Sequence, residues 1–264
     1  MDAHLAMDNV IVFKKIIEII NELIDHVTIV CTKSRLEISL ITLDMAAMAS
    51  ISLMVDSFFT SYRIKEEIIN LHVHVGELCK ILKNAVKLNG WETLRIKLEK
   101  PDSDFISFIL LKTKDTFKMR LLDIQGQNFI NGEAPVDWEI FNYKIEMPSK
   151  DFIDTCNVID QFGEVMCISA HKNILSLYSV SDGDVALSNF CKRYTFENCI
   201  DLRNEIKSNF SAKYMKKFSL FSSLSETVVF RFQLEHDSNF PILLCYSCPS
   251  YTFDIHLLLG SKYD

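Results

Sequence analysis

A weak internal repeat limits the folds open to this 264-residue chain more than any other feature of its sequence. When the chain is compared with itself at an offset of 139 residues, similar residues coincide in one order along both copies. The matched pairs are Phe13 with Phe152, Ile20 with Ile159, Ile29 with Ile168, Lys33 with Lys172, Leu36 with Leu175 and Ile38 with Leu177. Because helix, strand, turn and strand patterns recur, the chain is predicted to fold as two similar halves.

Hydrophobic periodicity indicates an α+β fold. Apolar residues recur at helical spacing in residues 10–25, 75–86 and 149–161. Apolar and polar residues alternate in 27–31, 35–41, 93–98, 105–111 and 117–122, which is typical of half-buried strands. A segment with two Gly, one Pro and two Asn follows and resembles a linker. We predict two short helices and antiparallel sheets in each half, with an N-terminal domain at 1–122, an interdomain connector at 123–137 and a C-terminal domain at 138–264.

The composition argues against several classes of protein. The chain has 35 acidic and 28 basic residues, and its net charge of -7 disfavours binding to the phosphate backbone of nucleic acids. Only seven glycines are present, and neither GxGxxG nor GxxxxGK[ST] occurs, which excludes two classes of nucleotide-binding enzyme. Neither a signal peptide nor a long apolar run is found, so we expect a soluble intracellular protein whose eight cysteines are reduced thiols.

Lysines gather on the polar faces of three predicted helices. These residues are Lys14 and Lys15 in the first, Lys80 and Lys83 in the second, and Lys213, Lys216 and Lys217 in the last. At an offset of 133 residues, Lys80 coincides with Lys213 and Lys83 with Lys216, which favours a shared role in the two halves. Lysines on one surface create a local positive field that the net charge conceals. The helix at 149–161 differs, because its polar face has three aspartates and one lysine.

Metal and catalytic sites have little support in the sequence. Cys245 and Cys248 have the spacing of a zinc-ligand pair, but they lack the second pair that a structural zinc site needs. His72 and His74 share one face of a predicted strand without a third ligand at a suitable spacing. No order of Ser, His and Asp indicates a triad. We therefore predict that the protein is not an enzyme and has neither a metal nor another cofactor.

Several segments together, in their order and spacing, resemble one known family. The clearest are Ile145–Asp154, which contains Met-Pro-Ser-x-x-Phe, and the strand-like Phe162–Ser169. Further segments are Phe13–Glu18, Lys80–Lys83, Met119–Asp123 and Phe210–Phe218. They resemble the proliferating cell nuclear antigen (PCNA) family of sliding clamps over nearly the whole chain. The resemblance implies a homotrimeric ring that encircles duplex DNA without reading its sequence and tethers a DNA polymerase.

The resemblance also implies which residues contact DNA and which contact partner proteins. The DNA-facing positions would be Lys14, Lys15, Lys80, Lys83, Lys213, Lys216 and Lys217. Peptide motifs of polymerase, clamp loader and other partners would bind at Leu43, Met48, Phe129, Ile130, Pro241, Leu257, Leu258 and Leu259. Ring closure would pair residues 116–122 of one chain with residues 185–191 of the next. Lys172 occupies the position of a lysine that the family uses for ubiquitin-type modification.

The implied location is the nucleus, or a viral replication site in the host cell, with roles in DNA replication and repair. Two alternatives within the same fold are a subunit of a heterotrimeric checkpoint clamp and a monomeric viral processivity factor. A third, from a different class, is an α+β interaction module without a DNA function.

Overall fold

The chain folds into two compact units. The structure is a computed structural model that describes residues 3–87, 93–98, 104–123, 138–141, 143–171, 174–180, 191–195, 206–233, 241–248 and 253–262. The described residues of the first unit lie within Met1–Thr42, Ala49–Val136 and Cys248–Asp254. Those of the second unit lie within Leu43–Met48, Asp137–Ser247 and Ile255–Asp264.

The first half of the chain contains nine strands and three helices among its described residues. In chain order these are β1 (Ala3–Met7), α1 (Val10–Asn21), β2 (His26–Thr32), β3 (Arg35–Ile41), β4 (Ala47–Met54), α2 (Val55–Phe58), β5 (Ser61–Ile64), β6 (Ile68–His74), α3 (Val75–Lys87), β7 (Leu94–Leu98), β8 (Phe105–Leu110) and β9 (Thr116–Arg120). The four-residue helix α2 adds to the two helices that the sequence predicts for this half.

The described residues of the second half form eight strands and two helices. They are β10 (Tyr143–Pro148), α4 (Ser149–Ile159), β11 (Val165–His171), β12 (Ile174–Val180), β13 (Cys191–Thr195), β14 (Ile206–Ser211), α5 (Ala212–Ser219), β15 (Thr227–Phe232), β16 (Ile242–Cys248) and β17 (Phe253–Leu259). Two 3₁₀ turns, Trp138–Ile140 and Leu220–Ser223, complete this half.

The strand order of the first half recurs in the second. Neighbouring strands follow the order β4-β3-β2-β6 in the first half and β13-β12-β11-β14 in the second. The order β1-β7-β8-β9, with β5 outside β1, corresponds likewise to β10-β15-β16-β17. The pairs β2–β3, β2–β6, β11–β12 and β11–β14 are all antiparallel. The predicted α+β class with two similar halves is therefore confirmed.

The repeat is close in register. The offset of 139 residues carries β2 onto β11 and β3 onto β12 residue for residue, and it aligns the first residues of α1 and α4. The second helix of each half departs from the predicted offset. The Val75 N–H donates to the Asp25 carbonyl (2.8 Å), and the Ala212 N–H donates to the Glu164 carbonyl (2.9 Å). Helices α3 and α5 therefore begin 137 residues apart, and the predicted offset of 133 is wrong by about one helical turn.

Each unit buries the apolar faces of its helices. Helix α1 packs against α3, and α4 packs against α5 and against strands β10 and β15. In the second unit the buried ring of Phe152 meets Phe230 edge-on, with centroids 5.1 Å apart. The fully buried Tyr246 donates its hydroxyl to the Phe218 carbonyl at 3.1 Å, and burial raises the pKa of its phenol. Apolar burial in these cores leaves the charged residues of the helices on the opposite faces.

Truncating Phe152 should destabilise the second unit strongly. The side chain is fully buried, so Phe152→Ala leaves a cavity and should lower the free energy of unfolding by about 3–5 kcal/mol. Urea denaturation followed by circular dichroism measures this change. The control is Ile11→Ala, whose side chain is 54% exposed and whose removal should cost about 0.5 kcal/mol or less. Equal destabilisation in the two variants would contradict this packing.

Candidate nucleic-acid interface

The first unit carries its predicted DNA-facing lysines on helices α1 and α3. In α1, the buried residues Phe13, Ile16 and Ile20 face the core, which directs Lys14 and Lys15 to the other side. Both lysines are half-buried, whereas Lys80 and Lys83 on α3 are exposed. Long aliphatic stems let lysines cover apolar surface while their ammonium groups stay in water. The two helices therefore present a lysine-bearing surface to solvent.

Glu18 brings two of these lysines together. The Lys14 Nζ lies 3.2 Å from Glu18 Oε1, one helical turn away on α1. The Lys83 Nζ, on α3, lies 3.9 Å from the same oxygen. The sequence analysis did not assign Glu18 to the site, although its i,i+4 spacing to Lys14 is a recognisable ion-pair signal. A single carboxylate thus contacts two lysines that are far apart in the sequence.

A buried thiol lies beneath this group of charges. The Cys79 Sγ–H donates to the Ile17 carbonyl at 3.6 Å, which joins α3 to α1. Burial raises the pKa of the Cys79 thiol, and the Glu18 carboxylate raises it further, while Lys83 and Lys14 lower it. The thiol therefore stays neutral at physiological pH, and the contact between the two helices carries no charge of its own.

The second unit presents a smaller group of lysines. Lys213 on α5 is exposed, and Lys216 and Lys217 are half-buried. The Lys216 Nζ forms an ion pair with the Asp160 carboxylate, which lies at the C-terminal end of α4. The exposed face of α4 contributes Lys150, Asp154 and Asn157. The acidic character that the sequence predicts for this helix is thus present at the surface of the second unit.

A short apolar loop forms another exposed feature of the second unit. Leu43 is 97% exposed and Met45 is 79% exposed, and Met45 adopts the uncommon φ of 56°. The Tyr214 hydroxyl donates to Asp44 Oδ2 at 2.7 Å, and the Ala46 N–H donates to Asp44 Oδ1 at 3.2 Å. The Gly260 N–H donates to the Ala46 carbonyl at 2.9 Å. Hydrogen bonds on both sides therefore hold the loop while its apolar side chains point to solvent.

Models of two protein-family domains match nearly the whole chain. The N-terminal domain model of proliferating cell nuclear antigen matches residues 2–128, and the C-terminal domain model matches residues 137–260. The chain belongs to the PCNA family. Its expected function as a DNA sliding clamp is thereby confirmed, and the checkpoint-clamp and monomeric viral alternatives are not favoured. Clamps of this family are scaffolds and not enzymes.

Individual PCNA proteins are distant but similar along most of their length. The chain is 26% identical to the proliferating cell nuclear antigen of Caenorhabditis elegans over 239 residues, covering 86% of this chain and 85% of the relative. It is 26% identical to that of Dictyostelium discoideum over 228 residues, with coverages of 81% and 83%. The crystal structure of the Entamoeba histolytica protein has the same fold, with a TM-score of 0.80, 18% identity and full coverage of both chains.

The structure separates the predicted peptide-binding residues of the clamp into three groups. Leu43 is exposed, and Met48, Pro241 and Leu258 are half-buried. Leu257 and Leu259 are fully buried, which corrects their assignment to a binding surface. Alternation along β17 directs these two side chains into the core and leaves Leu258 on the other face. Phe129 and Ile130 lie outside the described residues.

Strands with a free edge are present where ring closure was predicted. Strand β9 lies at one edge of its sheet, and β13 lies at the edge of another. Strand β9 ends at Arg120, two residues before the predicted end at Leu122. Residues 185–190, most of the second predicted closing segment, lie outside the described part of the chain, as does Lys172.

The residues weighed as metal ligands have other partners or lack a third ligand. The His72 Nδ1 is 2.9 Å from Thr28 Oγ1, and the His74 Nδ1 accepts the Glu77 N–H at 3.4 Å. Cys245 and Cys248 are reduced thiols on strand β16. Within the described ranges, no three His, Cys, Asp or Glu side chains come close enough to hold a metal ion. No described helix is both long and apolar enough to span a membrane.

Proposed function

We propose that three copies of this chain close into a ring around duplex DNA and tether a DNA polymerase, a clamp loader and other proteins with peptide motifs. The observation that carries the proposal is the recurrence, in both halves, of a helix pair with lysines on its solvent face. We further propose that the chain has no catalytic activity of its own and works in the nucleus, or at a viral replication site, in DNA replication and repair.

The proposed contact with DNA is electrostatic and independent of sequence. Lysine ammonium groups attract phosphates through counter-ion release, and such contacts carry no information about bases. The DNA-facing residues would be Lys14, Lys15, Lys80, Lys83, Lys213, Lys216 and Lys217. A ring of three chains would carry a formal charge of about -21, three times the -7 of one chain, so its hold on DNA must come from topology and local lysines.

The proposed domain division places an N-terminal domain at 1–122, a connector at 123–137 and a C-terminal domain at 138–264. Partner peptides would bind Leu43, Met48, Pro241 and Leu258 on the second unit. Exposed apolar side chains such as Leu43 are unfavourable in water, and a peptide with aliphatic and aromatic anchors would cover them. Phe129 and Ile130 of the connector remain predicted contributors to the same interaction.

Light scattering of the purified chain tests the ring. We expect a mass of about 92 kDa, three times the 30.5 kDa of one chain, because pairing of edge strands between neighbours would satisfy their free backbone groups. A mass of 30.5 kDa at micromolar concentration would contradict the homotrimer. If the trimer formed only after another clamp protein was added, the heterotrimeric alternative would replace it.

Charge reversal on two exposed lysines tests the DNA-facing surface. The double variant Lys80→Glu with Lys213→Glu removes two phosphate contacts from each chain and adds repulsion. Polymerase stimulation on a primed circular template should fall by about tenfold. The log–log slope of duplex binding against salt concentration should become shallower by about 0.9 for each lysine–phosphate pair that the substitutions remove.

The matched control for this double variant is Lys33→Glu with Lys144→Glu. It changes the net charge equally at two exposed lysines outside the four longer helices. It should leave polymerase stimulation close to that of the unaltered chain. An equal decrease in both double variants would show a general effect of charge and would contradict the assignment of the lysines on α3 and α5.

Truncating the apolar surface of the second unit tests peptide binding. The double variant Leu43→Ala with Leu258→Ala removes two anchoring side chains, so its affinity for a clamp-binding peptide should fall by about tenfold. Fluorescence anisotropy with a labelled peptide measures the change. Two other exposed residues provide the control, Ile68→Ala with Ile174→Ala, and their truncation should not alter the titration. An unchanged curve for the first variant would exclude this surface.

A further inference from the structure

Each unit pairs a lysine of its second helix with a carboxylate of its first. In the first unit, Glu18 on α1 contacts Lys83 on α3 as well as Lys14 on its own helix. In the second unit, Asp160 at the end of α4 contacts Lys216 on α5. The two acids are not equivalent in the repeat, since an offset of 139 carries Glu18 to Asn157. The same arrangement is therefore built from different positions in the two units.

Neither acid stands where it would best stabilise its helix. Glu18 lies in the last turn of α1, and Asp160 is the C-cap residue of α4. The negative end of the helix dipole is at the C-terminus, where a carboxylate is unfavourable and a basic residue is favoured. Both helices lack a basic residue in the last turn. Helix stability alone thus does not explain these acids, whereas their contacts with lysines do.

We propose that Glu18 and Asp160 act as built-in counter-ions, which compete with DNA phosphates for Lys14, Lys83 and Lys216. This inference rests on the proposed function, in which these lysines face DNA. A phosphate that approaches one of the lysines must displace a carboxylate that is already bound. The acids thereby lower the net attraction at each contact and keep the hold on DNA weak enough for sliding.

The exposure of these ion pairs makes such an exchange feasible. The Glu18 and Asp160 side chains retain 32% and 29% of their accessible surface, and the Lys83 and Lys216 side chains retain 55% and 45%. Ion pairs that water reaches are weak, and salt screens them. A flexible lysine side chain can therefore leave the carboxylate for a phosphate without a change in the backbone.

Neutralising the acids tests the proposal. Glu18→Gln and Asp160→Asn keep the shape of each side chain and remove its charge. Each variant should bind a short labelled DNA duplex about fivefold more tightly at low salt, as measured by fluorescence anisotropy, because about 1 kcal/mol of competing attraction is removed. The gain should shrink as salt is raised. The matched control is Glu66→Gln, which removes an equal charge at an exposed bend between β5 and β6.

A double-mutant cycle shows whether the effect passes through the lysines. In a background of Lys14→Ala with Lys83→Ala, Glu18→Gln should no longer improve binding beyond the gain of Glu66→Gln. Persistence of the full gain in that background would overturn the proposal. The same holds if Glu18→Gln and Asp160→Asn only lowered the unfolding midpoint and bound DNA as Glu66→Gln does, which would identify both ion pairs as structural.

Failure of the inference and failure of the proposed function give different results. If the lysine variants weaken binding while the acid variants match Glu66→Gln, the lysines contact DNA and the counter-ion role is excluded. If the lysine variants bind DNA as the unaltered chain does, the DNA-facing assignment itself fails, and the counter-ion role fails with it.

Discussion

Burial of one apolar face on each helix is the interaction on which the rest of the structure depends. Phe13, Ile16 and Ile20 anchor α1 to the first core, and Phe152 and Ile159 anchor α4 to the second. Once these faces are buried, the 3.6-residue period leaves the charged side chains on the opposite faces. The positions of lysines and acids on the surface are therefore a consequence of how the cores are packed, and charge needs no separate device to collect there.

Secondary structure was predictable where periodicity is strong, and less so where chain ends and turns decide. The strands at 35–41 and 105–110 and the helices α3 and α4 closely follow the alternation and spacing of their apolar residues. The helix predicted for 10–25 ends at Asn21, because the Leu23 and Ile24 N–H groups both bond to the Ile20 carbonyl in a turn. Apolar spacing continues through Ile24, so the sequence pattern alone could not locate this end.

The candidate surfaces were predictable only in part, because two of their properties depend on the tertiary fold. The lysine positions follow from helical spacing, but the contact of Glu18 with Lys83 joins two helices that are far apart in the sequence. Leu257 and Leu259 are apolar residues near an expected binding surface, and only the register of β17 shows that they face the core. A resemblance to a family therefore identifies segments more safely than it identifies individual side chains.

The hydrogen bonds around the exposed loop have a consequence for any molecule that binds there. Tyr214 and Gly260 hold Asp44 and Ala46 in place, and Met45 keeps its left-handed backbone between them. A loop without such bonds would lose conformational entropy when an occupant ordered it, and that loss would weaken binding. Here the ordering takes place when the chain folds. An incoming apolar side chain meets Leu43 on a backbone that is already arranged, so more of its desolvation free energy appears as affinity.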